Sequence, residues 1–420
     1  MPALPADPTA AREFAFEVVA NLRQAGFEAV WAGGCVRDEL LGHTPADYDV
    51  ATSATPPQVR KLFGQRRTLA VGAAFGVITV LGPRAAGQVE VATFRADAAY
   101  TDGRHPAGVT FCSAREDALR RDFTINGLFF DPLAGEVIDY VGGQDDLTAG
   151  IVRAIGVATM RFGEDHLRIL RAVRFSAGFG FPLERETRRA IESMAHLVDS
   201  VSPERIAAEL RTMCSRPGRG RAISLLVDTG LVGPVFHEFS TSDVAFWQTA
   251  AATIDALDEP GLPLALAVLC NGDPAAVDRI SQRLRLSNQE RKQAGWLVEA
   301  VAAIGTHGSV AELEGRPWST LQPWLGHSWR FQLADLLRAA AAIVGAGGEA
   351  AAWISQQAAR PLAELAPPDL LSGNDLLACG VPPGPMVGQV LKKLRGSQLD
   401  GLIASREEAL RAVAAWLAAE

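Results

Sequence analysis

The sequence predicts an α+β protein: a small mixed β-sheet with helices at the N-terminus, then helices almost throughout. Three observations carry this. Residues 1–150 alternate short β-like runs with helical stretches. From about residue 151 the pattern turns to alanine-rich amphipathic segments, broken by "SRPGRGR", "DEPGLP", "GRPW", "LAPPDLLSG" and "VPPGP". The length of 420 residues exceeds what one ordinary core holds, so two to four domains are expected.

Taken in order, "FEAVWAG" (27–33) reads as a strand and "VRDELLG" (36–42) as a helix after a turn. "DYDVAT" (47–52), "FGVITVLG" (75–82) and "QVEVATF" (88–94) read as further strands. Residues 96–113 have weak periodicity and contain "DGRHP", which predicts a loop.

Composition narrows the function. A chain that is 48% hydrophobic and 21% charged is of the soluble globular type. No run of 18 apolar residues predicts a membrane span, and "MPALPADPTAAREF" lacks the basic start and apolar core of a secretory signal. Five dispersed cysteines without a CxxC pair point to reduced thiols and a cytoplasmic location. A net charge of −8 argues against nucleic-acid binding through bulk charge. The basic residues are nevertheless clustered and nearly all arginine: "RRDF" (120–123), "RILRAVRF" (168–175), "RPGRGR" (216–221). Such ridges are either solvated helix faces or local phosphate sites.

Asp47 and Asp49 stand two residues apart on a predicted strand, so both carboxylates project to one side while Tyr48 and Val50 face a core. Carboxylates so close repel unless a cation lies between them, and hard divalent ions such as Mg²⁺ take oxygen ligands of this kind. Glu90, on 88–94, completes such a site if its strand neighbours 47–52. Ahead of the pair, Gly33 and Gly34 sit at a strand-to-helix turn where backbone N–H groups can approach a phosphate, with Arg37 one turn on. There is no GxxxxGK[ST] and no GxGxxG. Together these fit a metal–nucleoside triphosphate.

Three blocks, "GGCVRDELLG…DYDVATSATP", "LRRDFTINGLFFDP" (119–132) and "EDHLRILRAVRFSAGFGF" (164–181), resemble the class II nucleotidyltransferases in order and spacing. That family holds the bacterial tRNA CCA-adding enzymes and poly(A) polymerases. The resemblance implies a head at 1–150, a base-reading helical neck at 151–215, a helical body at 216–310 and an RNA-binding tail at 311–420. It implies that Asp47 and Asp49 bind catalytic metal and that Gly34 and Arg37 contact triphosphate. Arg121, Asp122 and Asn126 would hold ribose and phosphates. Asp165 and Arg168 would read the base, with Arg171 and Arg174 at the triphosphate or around the nucleotide. Residue pattern adds to this: on a single helix, Leu167, Leu170, Val173 and Ala177 form an apolar stripe, and Glu164, Arg168 and Arg171 a polar face. The plainer alternative for Asp165 and Arg168 is an i, i+3 ion pair.

The chain departs from the family in two places. Residues 244–276 lack the His–Asp dyad of a phosphohydrolase module, with Gln248 after Trp247 and "CNGD" further on, so no hydrolysis is expected there. Gly127 replaces the usual alanine of "INGLF". The loop "YTDGRHP" (100–106), which in the family helps switch from C to A addition, is retained. Trp318, Trp324, Trp329 and Trp353 are expected as core of the tail sooner than as a stacking platform for bases. The expected activity is template-independent addition or repair of the 3′-terminal CCA of tRNA from CTP and ATP. A poly(A) polymerase, an A-adding specialist and an inactive RNA-binding protein are the alternatives. The sequence does not reveal the oligomeric state.

Overall fold

A computed structural model describes residues 7–97, 109–239, 243–305 and 309–418. The chain forms two compact units, residues 1–242 and 243–420.

The first unit is built on a seven-stranded mixed sheet in the order β3-β4-β5-β2-β1-β8-β9. Its strands are β1 (Ala29–Ala32), β2 (Asp49–Thr52), β3 (Thr68–Leu69), β4 (Val77–Leu81), β5 (Gln88–Thr93), β8 (Phe129–Asp131) and β9 (Glu136–Ile138). Residues of β1 are buried without alternation, because this central strand is covered on both faces. Helix α1 (Pro8–Gln24) packs on β1, β2 and β5. On the other side Val30, Ala32, Ala51, Phe94, Ala118 and Phe129 share a core. Strand β4, second from the β3 edge, alternates half-buried and buried, as a strand with one covered face does.

Three sequence expectations need correction. The ladder begins at Asp49, so Asp47 and Tyr48 lie just outside β2. The side-chain alternation still extends back to them, with Tyr48 and Val50 buried and Asp47 and Asp49 exposed. The stretch 96–113 is not all loop: β6 (Arg95–Asp97) and β7 (Val109–Phe111) pair antiparallel in a separate two-stranded sheet. The segment "YTDGRHP" lies outside the described residues. Finally, 164–181 is not one helix. Helix α6 (Ala158–Glu164) ends at Glu164, Asp165 is extended at φ −146° and ψ 106°, and α7 spans Leu167–Phe179. The Asp165 carboxylate accepts the Leu167 N–H at 3.1 Å, which favours restarting the helix over continuing it.

The apolar stripe of α7 is buried against α9 (Pro203–Cys214) and α10 (Arg219–Asp228). Residues 151–155 stitch the sheet region to these helices. Thr124 donates to the Arg153 carbonyl at 3.0 Å, and Ile155 donates to that of Asp122 at 3.1 Å. Ala154 in turn donates to the Thr187 hydroxyl at 3.0 Å.

The second unit is helical throughout its described residues, starting with α12 (Val244–Asp255) and α13 (Leu262–Cys270). All five Gly/Pro clusters read from the sequence fall between helices. The "DEP" turn is closed by a buried carboxylate: Asp335 accepts the N–H groups of Asp258 at 3.0 Å and Glu259 at 2.9 Å. Trp318, Trp324, Trp329 and Trp353 are all half-buried, not full core. Trp324 and Trp329 join Trp296 and His327 in one ring cluster, the His327 ring stacked 4.4 Å from Trp296. No helix among the described residues is long and apolar enough to cross a membrane.

Candidate active site

Two strands and one turn assemble the acidic edge. Strand β2 runs parallel to β5 with Asp49 paired to Glu90, so Glu90 joins Asp47 and Asp49 at the same end of the sheet. All three are exposed. No hydrogen bond or ion pair from the described residues reaches their carboxylates. The Asp49 carboxyl is pushed up to about 6 by partial desolvation and by the charges of Asp47 and Glu90, with Arg121 working against them. Among the described residues no three His, Cys, Asp or Glu side chains already close around a point. The donor set fits a hard divalent cation held by Asp47 and Asp49, with Glu90 in reach of the same edge.

Behind this edge Tyr48 is clamped. Its ring packs 4.9 Å from Trp31, and its hydroxyl donates to Glu39 at 2.6 Å. The same Glu39 oxygen accepts from Arg12 at 2.8 Å, and Arg12 lies 5.0 Å over Trp31. Three elements thus fix the residue between the two aspartates.

The glycine turn follows β1. Gly33 has φ +74° and caps α2 (Gly34–Leu40). A Cβ there would come within 2.7 Å of the Arg121 Nη1, so only glycine lets this guanidinium lie against the turn. Arg121 is held from below by Asp117, which it meets at 3.0 Å, and lies 5.0 Å over Phe129. Asp117 is almost fully buried. Burial favours its neutral form, but Arg121 and Arg120 outweigh this and hold its carboxyl below the ordinary range.

A buried chain of polar contacts joins the turn to α7. Arg37 donates to Asn126 Oδ1 at 2.5 Å and to Asp38 at 2.7 Å. Asn126 Nδ2 donates to Asp122 Oδ1 at 3.1 Å, and Asp122 Oδ2 accepts from Arg171 Nε at 2.7 Å. Burial pulls the Asp122 carboxyl up, but Arg171 and Asn126 prevail and keep it low. The structure therefore brings Gly33, Gly34, Arg37, Arg121, Asp122, Asn126 and Arg171 together.

Asp165 and Arg168 do not pair with each other. Asp165 Oδ2 accepts from Arg205 at 2.7 Å. Arg168 Nη1 donates to Glu164 at 2.6 Å and to the Arg161 carbonyl at 3.1 Å, and its Nη2 donates to the Arg120 carbonyl at 3.1 Å. Glu164 also binds Arg161 at 2.6 Å, so it braces Arg168 from the end of α6 and is not part of the α7 face. Arg174 meets Glu209 at 2.6 Å. Sequence reasoning missed Arg205, Glu209 and Asp117. For the first two the available signal was an Arg and a Glu four apart on α9, which places them on one helix face.

Two expectations follow. Asp49→Asn should raise the melting temperature at pH 7–8. A raised folded pKa means that ionisation costs stability, by an amount that grows as pH rises above the ordinary carboxylate range and is complete above the folded pKa. The gain should shrink as pH falls from about 6 toward 4, where wild-type Asp49 is protonated in the fold. Solvent exposure limits the gain to about 1 kcal/mol. Asn126→Ala removes one buried partner each from Arg37, which keeps Asp38, and from Asp122, which keeps Phe123 and Arg171, and should cost about 1–3 kcal/mol in all, seen as a lower denaturation midpoint with an unchanged slope.

The chain resembles known proteins over most of its length. Residues 29–153 match the Poly A polymerase head domain, 180–242 the "RNA and SrmB- binding site of polymerase A", and 262–414 the tRNA nucleotidyltransferase domain 2. The chain is 33% identical over 404 residues to the CCA-adding enzyme of Lactobacillus johnsonii, covering 94% of this chain and 95% of that one. It is 41% identical over 218 residues to the CCA-adding enzyme of Geobacillus stearothermophilus, covering 52% and 53%. The crystal structure of the Bacillus stearothermophilus CCA-adding enzyme with CTP superposes with a TM-score of 0.77 at 28% identity, covering 97% and 98%. The Thermotoga maritima CCA-adding enzyme complexed with tRNA shares the fold, with a TM-score of 0.66 at 19% identity over 98% and 97%. The chain belongs to the family of the CCA-adding enzymes, within the class II nucleotidyltransferases.

Proposed function

We propose that this chain adds or repairs the 3′-terminal CCA of tRNA, using CTP and ATP without a template. Asp47 and Asp49 would hold Mg²⁺, Glu90 supporting them. A metal ion there lowers the pKa of an attacking 3′-hydroxyl and neutralises charge on a leaving pyrophosphate. The turn at Gly33 and Gly34 offers backbone close to the triphosphate. Arg37 and Arg121, both held rigid by carboxylates, supply fixed positive charge beside it. Asn126 orients both cations, Arg37 through its side chain and Arg121 through its carbonyl; Asp122 steadies Asn126, and the two would lie beside the ribose. Fixed donors and charges need no reorganisation when negative charge builds up. The helical module at 244–276 has no hydrolytic part in this reading.

The observation that carries nucleotide choice is the residual bonding capacity of Asp165 and Arg168. Each Asp165 oxygen has one partner and keeps a lone pair, and the Arg168 Nε–H has no partner among the described residues. Cytosine and adenine both offer an amino donor next to a ring-nitrogen acceptor. Uracil and guanine present the reverse order. A carboxylate only accepts and a guanidinium only donates, so the pair suits CTP and ATP alike.

The deciding assay supplies labelled CTP and ATP with tRNA lacking three, one or none of its terminal nucleotides. Ordered C, C, A addition that then stops is expected. A long A tail would instead identify a poly(A) polymerase, and no incorporation an inactive binding protein. Asp47→Ala and Asp49→Ala should each abolish incorporation while the fold persists. Wild-type activity of either at saturating Mg²⁺ refutes the metal assignment.

Asp165→Ala and Arg168→Ala should lose preference for CTP and ATP over UTP and GTP. An unpaired buried group costs about 1–3 kcal/mol, so wild-type discrimination should reach roughly a hundredfold. If both variants slow uniformly and keep the wild-type ranking across four nucleotides on one primer, they do not read the base.

A further inference from the structure

The backbone alone does not fix the spacing of the two aspartates. Asp49 opens strand β2, but Asp47 lies outside the ladder. From Thr44 to Tyr48 the chain makes no backbone–backbone hydrogen bond among the described residues. Asp47 therefore sits on an irregular segment whose buried residues are Pro45 and Tyr48. Tyr48 is the residue that joins Asp47 to the strand.

The Tyr48 side chain provides the anchorage that the backbone lacks. Its ring packs on Trp31, and Trp31 in turn stacks 5.5 Å from Phe130 of β8. The ring thus rests on the central strands of the sheet. Its hydroxyl donates to Glu39 Oε1 at 2.6 Å, from the last turn of α2. The same oxygen accepts from Arg12 Nε at 2.8 Å, so the charge of Glu39 is matched by a cation from α1. One carboxylate oxygen therefore ties α1 and α2 to the segment that carries Asp47. Arg12 lies outside residues 29–153, which match the head domain, and Glu39 touches none of the groups given to metal, phosphate or ribose above.

Two carboxylates that repel each other spread apart unless their backbone is held. A cation binds such a pair more tightly when the oxygens already stand at ligating distance, because little ordering is then left to do on binding.

We infer that Glu39 is a positioning residue for the metal-binding pair, acting through the Tyr48 hydroxyl and braced by Arg12 of α1. The inference rests on the reading of Asp47 and Asp49 as metal ligands. The probe is Mn²⁺ alone, which takes the same oxygen ligands as Mg²⁺, titrated into the full chain and followed by the paramagnetic resonance signal of the free ion. Glu39→Ala and Tyr48→Phe should each weaken Mn²⁺ binding roughly tenfold, the low end of what groups behind metal ligands contribute. The double variant should bind no more weakly than either single one, because both remove one and the same contact. Glu39→Gln keeps an acceptor for the hydroxyl and should retain most of the affinity. Tyr48→Phe changes little in volume, so it carries the test even where Glu39→Ala fails to fold. A purely structural role would lower the melting temperature of these variants while Mn²⁺ affinity stays at the wild-type value, or would make the two losses multiply in the double variant. Either result overturns the inference. Asp49→Ala separates this outcome from the reading beneath it. If that variant binds Mn²⁺ as the wild type does, the metal assignment itself fails. If it loses Mn²⁺ while Tyr48→Phe and Glu39→Ala keep it, only the positioning role fails.

Discussion

Asp122 and Asn126 are the hub on which the active site hangs. One carboxylate and one amide, both buried, join an arginine from the glycine turn to an arginine from the neck helix. A buried charge is tolerable only when its bonding capacity is filled, and here it is: Asp122 accepts from Phe123, Asn126 and Arg171. The consequence is geometric. Helix α2 can shift against α7 only by breaking a buried polar contact of this chain, so the two helices are held in register. The backbone bonds of residues 151–155 make the same connection from the other side of the "RRDFTIN" segment.

The acidic edge follows the opposite rule. No hydrogen bond or ion pair from the described residues reaches the carboxylates of Asp47, Asp49 or Glu90, and partial desolvation with the charges of Asp47 and Glu90 outweighs Arg121 in raising the Asp49 carboxyl. The fold holds this repulsion in place through the hidden neighbours of the aspartates. Tyr48 is buried between Trp31 and Glu39, and burial together with its bond to Glu39 pushes its hydroxyl pKa up, so it remains a donor. Cys35 lies close by, its thiol within 3.9 Å of the Asp49 carbonyl. Burial pushes it up to about 12, which leaves it an inert packing group. Stability is spent at the edge and recovered in the layer behind it.

Much of this was legible in the sequence where a feature is local. Alternation placed Tyr48 inside and the aspartates outside, the glycine pair marked the turn, and Gly/Pro clusters marked the helix ends. The strand carrying Glu90 was readable, but its neighbour was conditional, because which strands pair is decided by the whole sheet. Partners distant in sequence were not readable at all. The spacing in "SPERIAAEL" puts Arg205 and Glu209 on one helix face, but that they meet Asp165 and Arg174 is decided only once α9 packs on α7. The short strands β8 and β9 were missed for a related reason: they pair in the sheet over only three residues each.

The break at Asp165 was the most instructive miss, because helical periodicity runs across it without a flaw. In an unbroken helix Asp165 and Arg168 would be i, i+3 neighbours, free to neutralise each other. The extended residue at 165 removes that option. Each ion then takes a different local partner, Arg205 for the carboxylate and Glu164 for the guanidinium. Because those partners engage only part of each group, the pair stays anchored and incompletely bonded. A recognition pair has to satisfy both conditions at once. Ions that neutralise each other have nothing left to offer a base, and ions without anchors lack the fixed geometry that rejects a wrong one. A backbone kink that looks like a defect in the helix is therefore what keeps an acceptor and a donor available within one turn of chain.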